Sequence, residues 1–156
     1  VLTSAPELPA TKLANCCYYF MFWKCTNLTS APVLPATTLA VHCYSNMFAE
    51  CTNLTSAPEL PATTLAVHCY YGMFSACPKL SSVTMLAPKS EIETKNNCVL
   101  NWLAGTDNSV TRTLKVKNEA AYKALENNTA YLPENWKIGA KGTTVVDENN
   151  AEINIE

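Results

Sequence analysis

The side chains best equipped for chemistry in this chain of 156 residues are its eight cysteines and two histidines, and twice they fall together, as His42-Cys43 and His68-Cys69. An imidazole beside a thiol can hold zinc through nitrogen and sulfur, or act as the base that raises a thiolate nucleophile. If the two pairs occupied neighbouring copies of a repeat, they would lie about 5 Å apart, the spacing of adjacent strands. Against a metal stand the lack of any Cys-x-x-Cys or His-Glu-x-x-His spacing and the presence of Cys16 where the same pattern first occurs. Against a nucleophile stands the recurrence itself, because an active site is normally unique in its chain, and no carboxylate is evident to orient the imidazole. Four glycines leave no phosphate-cradling loop. Asn27-Leu28-Thr29 and Asn53-Leu54-Thr55 match a glycosylation sequon, but their leucines belong to the core pattern. The chain is therefore expected to be no enzyme, with no catalytic residue, no cofactor and no metal site.

The cysteines instead mark a period. Cys25, Cys51 and Cys77 lie 26 residues apart, as do Cys17, Cys43 and Cys69. Leu28 through Tyr44 returns 26 residues later as Leu54 through Tyr70 with one change, Val33 to Glu59. A looser copy runs from Leu2 to Cys25, with Lys12, Asn15 and Cys16 where later copies have Thr, Val and His. A decayed fourth copy is expected in the same register, placing Leu80 on Leu54, Leu86 on Leu60, Val99 on Met73, Leu100 on Phe74 and Leu103 on Cys77. Loss of consensus with retention of apolar character is how a terminal repeat becomes a cap.

Each unit must position its side chains with two short elements. Leu54 to Pro61 is extended, and its prolines, which lack the N–H a ladder needs, limit the strand to a few paired residues. In Cys69 to Cys77 the residues Tyr70, Met73, Phe74 and Cys77 fall at i, i+3, i+4 and i+7, which predicts one face of a short helix. The same face recurs as Tyr44, Met47, Phe48, Cys51 and as Tyr18, Met21, Phe22, Cys25. A single unit cannot bury it, whereas stacked copies can. Equivalent cysteines of stacked copies then point the same way, which predicts Cys25, Cys51 and Cys77 as buried free thiols. The expected fold is thus an α/β repeat, a leucine-rich-repeat solenoid with one short strand and one short helix per unit over residues 1–103, closed by a small mixed α/β cap over 104–156.

Met47-Phe48-Ala49-Glu50-Cys51-Thr52-Asn53-Leu54-Thr55-Ser56-Ala57 resembles the signature of the BspA-type leucine-rich repeats of bacterial surface proteins, in which Met-Phe precedes a cysteine and then Leu-x-x-apolar. The resemblance covers roughly residues 2–103, and it departs at Ala57-Pro58, where many relatives carry a larger aliphatic residue and no proline. It implies cell-surface or extracellular display and the binding of protein or glycan ligands.

Beyond Leu103 the period vanishes and residues 104–109 read as a loop. Residues 110–116 alternate as a strand, and Asn118 is suited to cap a helix starting at Glu119. Thr144-Val145-Val146 and Ile153-Asn154-Ile155, with turn-prone residues between, suggest a terminal hairpin.

Eleven basic against thirteen acidic residues give a net charge of -2 with no basic stripe, which disfavours nucleic acid and anionic membranes as partners. No apolar run reaches the ~18 residues of a membrane span, no signal-peptide pattern is present, and the chain, which begins at Val1, reads as a processed or truncated product. The most informative positions for function are those where copies differ, since core positions are held and solvent-facing ones are free. Phe20 stands where later copies have Asn46 and Gly72, Trp23 where they have Ala49 and Ser75, and Tyr19 and Tyr71 occupy the position of Ser45. Clustered surface aromatics mark contact sites. Tyr19, Phe20, Trp23 and Tyr71 are the expected ligand-binding residues of a non-catalytic, adhesion-type module. The alternative is a structural spacer or assembly subunit of a surface or virion appendage.

Overall fold

The computed structural model describes residues 1–155. There are four strands, β1 (Ser56–Leu60), β2 (Ser82–Met85), β3 (Arg112–Val116) and β4 (Thr143–Val146), with helix α1 (Lys89–Thr94) between β2 and β3 and helix α2 (Glu119–Glu126) between β3 and β4. The strands form one parallel sheet in sequence order, β1-β2-β3-β4. Such an order requires each crossover to carry the chain across the same side of the sheet. One face is apolar, through Leu60, Val83, Met85, Leu114, Val116 and Val145. The prolines shorten the ladder as expected. Only single bridges, Ser30 to Ser56 and Thr38 to Thr64, join the second and third copies there, and the β1–β2 register slips between Ser56 and Glu59, where Ala57-Pro58 inserts an extra residue. A bulge is where a strand can hold a residue with no N–H to give.

The other half of each unit departs from the expectation. Residues 14–25, 40–51 and 66–77 form no α-helix but a ribbon of overlapping turns, with positive φ at every fourth residue: Cys16, Phe20 and Lys24, then His42, Asn46 and Glu50, then His68, Gly72 and Ala76. Alternate N–H groups stay within the copy, for example Cys43 to Ala40, Ser45 to His42 and Met47 to Tyr44. The intervening ones cross to the next copy, Tyr44 to Cys69, Asn46 to Tyr71, Phe48 to Met73. An α-helix would keep every N–H to itself; the ribbon gives half to its neighbour. Side chains then point two in and two out. Cys43-Tyr44, Met47-Phe48 and Cys51 are buried, while His42 and Asn46 are half-exposed. Rings of equivalent residues stack along the copies, with centroids of Tyr18, Tyr44 and Tyr70 spaced 5.9 and 6.0 Å, and those of Phe22, Phe48 and Phe74 5.4 and 5.7 Å.

The fourth copy is shifted from its expected register. Tyr70 donates to Cys98, where Tyr44 donates to Cys69, so this step is three residues longer. Helix α1 takes up the extra length, and Val99, Trp102 and Leu103, all fully buried, stand where the third copy has Tyr70, Met73 and Phe74. In the sheet Leu60 pairs with Met85, and Leu86 is only half-buried.

The C-terminal third continues the same sheet. Asn118 caps α2 by accepting from the N–H of Ala121 at 2.9 Å, as expected. The terminal return is a single antiparallel bridge, Val146 to Glu152, with the Ile153 N–H donating to Val145 O at 2.9 Å. One hydrophobic cluster runs from Leu8 to Ile153.

Candidate recognition surface

The two-in, two-out ribbon decides where the variable residues go. Tyr19-Phe20 and Trp23-Lys24 are outward pairs of the first copy, and Tyr71 is the outward equivalent of Tyr19 in the third. Trp23 lies edge-on to Phe20 at 5.6 Å and Phe20 edge-on to Tyr19 at 4.5 Å. Tyr19 meets the face of His42 at 5.9 Å, His42 stacks on His68 at 4.6 Å, and His68 meets Tyr71 edge-on at 5.6 Å. Three of the expected residues are therefore in contact in series, and the fourth is joined to them through two histidines whose sequence pattern favours a structural role over that of ligand or nucleophile. Six rings form one row along the flank. Edge-to-face contacts of this kind are favourable for aromatic quadrupoles.

No known protein family, curated protein or solved structure matched this chain in comparison.

The row is held in place by polar contacts at its Trp23 end and at its middle. Tyr19 and Trp23 expose 48% and 44% of their surface, yet Trp23 is fixed: its Nε1 donates to Glu50 Oε1 at 3.3 Å and Lys24 Nζ lies 4.4 Å from its ring centre. At the middle, the buried Ser45 hydroxyl donates to His68 O at 2.5 Å, so its oxygen must accept from His42 Nδ1 at 2.9 Å, because a serine has one hydrogen to give. Asn97 Nδ2 donates to His68 Nε2 at 3.2 Å. Burial first, and the neighbouring His68 second, hold the His42 pKa below its ordinary value. The row accordingly joins four aromatic side chains to two histidines around a serine-anchored centre.

Among the described residues no group of three or more His, Cys, Asp or Glu is placed to hold a metal ion, and no helix is long and apolar enough to cross a membrane. The cysteines sort by position in the stack. Cys43, Cys51, Cys69, Cys77 and Cys98 are buried, Cys16 and Cys17 are exposed, and Cys25 is half-exposed rather than buried, because no copy covers the first one. Burial pushes Cys43 and Cys77 up to about 12 and Cys51 and Cys98 to about 11, so the thiolate needed for reaction is scarce. Native labelling with a maleimide at pH 8 is expected to modify Cys16 and Cys17, and the five buried thiols only after denaturation; rapid native labelling of Cys51 or Cys77 would refute the buried ladder.

A concave surface lies apart from the row, beside the proline-rich segments of the first two copies, about 290 Å³ in volume and walled by Pro6, Leu8, Pro32, Val33 and Pro35. It offers apolar walls but none of the ring contacts or fixed donors of the flank.

Proposed function

We propose that the chain is a leucine-rich-repeat solenoid of the BspA-like kind, acting as a non-catalytic recognition module at a cell surface or in the extracellular space, with a protein or glycan as ligand. The continuous ring row on the flank is the observation that carries this reading. Large rigid rings bury much area at small entropic cost, and an anchored Trp among them is the usual form of a binding hot spot. A face of aromatic rings, a serine-anchored histidine pair and asparagine suits the apolar faces and hydroxyls of a sugar or a peptide. The repeats supply the solenoid reading: units of 26 residues, a parallel sheet in sequence order and ring columns through successive copies.

The test separates binding from folding. A Tyr19→Ser, Trp23→Ser double variant is expected to keep its thermal midpoint within a few degrees and to lose roughly thirtyfold in affinity, the scale of a ~2 kcal/mol hot spot, on a panel of immobilised surface glycans and extracellular-matrix proteins. A companion, Phe20→Asn, copies the residue of the second copy and relieves the positive φ of Phe20, so it is expected to weaken binding while leaving stability equal or higher. Unchanged binding by both variants would move recognition to the proline-walled side.

A further inference from the structure

The open end of the stack has its own chemistry. At each internal junction of the turn ribbons, five alternate N–H groups of one copy meet five alternate carbonyls of the next. Cys16, Tyr18, Phe20, Phe22 and Lys24 donate to Val41, Cys43, Ser45, Met47 and Ala49, and the second copy repeats this with the third, from His42, Tyr44, Asn46, Phe48 and Glu50. In the first copy the equivalent acceptors are the carbonyls of Asn15, Cys17, Tyr19, Met21 and Trp23. None of these five receives a hydrogen bond from any described residue. The side chains beside them are stranded in the same way: Met21 is 43% exposed while Met47 and Met73 are fully buried, and Cys17 is exposed while Cys43 and Cys69 are fully buried.

The geometry points to this end as an addition face for one further 26-residue unit, laid parallel to the first copy and continuous with it ahead of Leu2. Three properties of the face select that occupant. It presents only acceptors, at two-residue intervals, so its partner must offer a matching row of donors; the internal junctions show that the ribbon of this repeat carries such a row on the side facing the following copy. It is apolar around Met21 and Tyr18, the positions that equivalent Met and Tyr side chains cover at the internal junctions. A second molecule of this chain cannot supply the donors. Open end against open end would set carbonyl against carbonyl. At the far end the corresponding ribbon is covered by the C-terminal third: Val99, Trp102 and Leu103 are fully buried, the Asn101 N–H donates to Ala130 and Trp102 Nε1 to Tyr131 O. An orphaned carbonyl costs little while it meets water, but five of them beside an exposed methionine make a surface whose gain on being covered is both polar and apolar. The face adjoins the ring row at Tyr19 and Trp23, whose carbonyls are among its acceptors and whose equivalents in the covered second copy, Ser45 and Ala49, are buried, whereas His68 and Tyr71 lie two copies away.

The experiment is a chain in which a duplicate of residues 28–53 is joined directly ahead of Leu2, keeping the 26-residue spacing. Peroxide oxidation of Met21 and maleimide labelling of Cys17 are each expected to slow roughly tenfold relative to the parent, since both rates follow exposure, and the thermal midpoint is expected to rise. A control extension with the same residues scrambled is expected to protect neither. Met21 and Cys17 left as reactive as in the parent, or protected equally by the scrambled extension, would overturn the proposal. So would a parent chain that dimerises in sedimentation and protects Met21 on doing so, because the occupant would then be a second copy.

Discussion

Phe48→Ala is expected to lower the unfolding free energy by about 3–5 kcal/mol, the range for removing a large buried ring without collapse of the cavity. Phe48 is fully buried and sandwiched between Phe22 and Phe74, so the void opens between two rings that a stack of fixed spacing cannot bring together. Its backbone bonds survive the substitution, the residue 48 carbonyl accepting from the Cys77 thiol at 3.1 Å and its N–H crossing to Met73, and they hold the copies at their spacing so that the void stays open. Urea denaturation of the variant beside Met21→Ala gives the comparison: the exposed methionine is expected to cost less than about 1 kcal/mol, within the usual range for surface substitutions. A loss below about 1 kcal/mol for Phe48→Ala itself would mean that the ring column is not the core.

The second large effect is expected at Arg112, which sequence reasoning passed over as one polar residue of a strand. It is 2% exposed, and its guanidinium donates to four backbone carbonyls, those of Asp107 at 3.0 Å, Val110 at 2.6 Å, Asn135 at 2.8 Å and Lys141 at 3.1 Å, as well as to Thr143 Oγ1 at 3.2 Å. These acceptors come from the loop before β3, the turn at Asn135 and the approach to β4, so a single side chain ties together the segments that close the sheet. Arg112→Met fills much of the volume and satisfies none of the carbonyls; the expected cost is on the order of 4 kcal/mol, from lost charge-assisted bonds and orphaned acceptors. Arg112→Lys keeps the charge but has no planar fork to reach three directions at once, and is expected to recover less than half. Hydrogen exchange locates the damage: the amides of Thr143 to Val146 should exchange sooner than those of Ser82 to Met85. Equal exchange in both strands would show that Arg112 acts on global stability alone.

The period, the apolar identities and the capped helix α2 were legible in the sequence because each is a local or repeated property. The helix in each unit was misread for a definite reason. Tyr44, Met47, Phe48 and Cys51 satisfy i, i+3, i+4, i+7, and a ribbon that turns two residues in and two out produces the same four positions. What separates them is Cys43, buried as well, and the residues suited to positive φ at every fourth place, Asn46 and Gly72, then Asn97 and Asn101. At Gly72 the distinction is steric too, since a Cβ there would lie 2.3 Å from Asn46 Oδ1 in the copy before it. The ring row was half legible. Tyr19, Phe20 and Trp23 stood out as departures from the consensus, whereas His42 and His68 obeyed it, and their part emerges only when the copies are laid against each other. The Arg112 contacts join residues far apart in the chain and leave no periodic trace.

The division of backbone bonds within each ribbon also fixes how the protein carries load. Bonds that stay inside a copy lie across the stack, while those that cross between copies lie along it, five abreast at each of the three internal ribbon junctions. Tension applied along the axis strains a whole rank of five together, so the junction resists as a unit. A lateral tug at one edge meets the same bonds one after another. The molecule is accordingly stiff in extension and weak in peeling, a mechanical anisotropy written into which N–H faces which way.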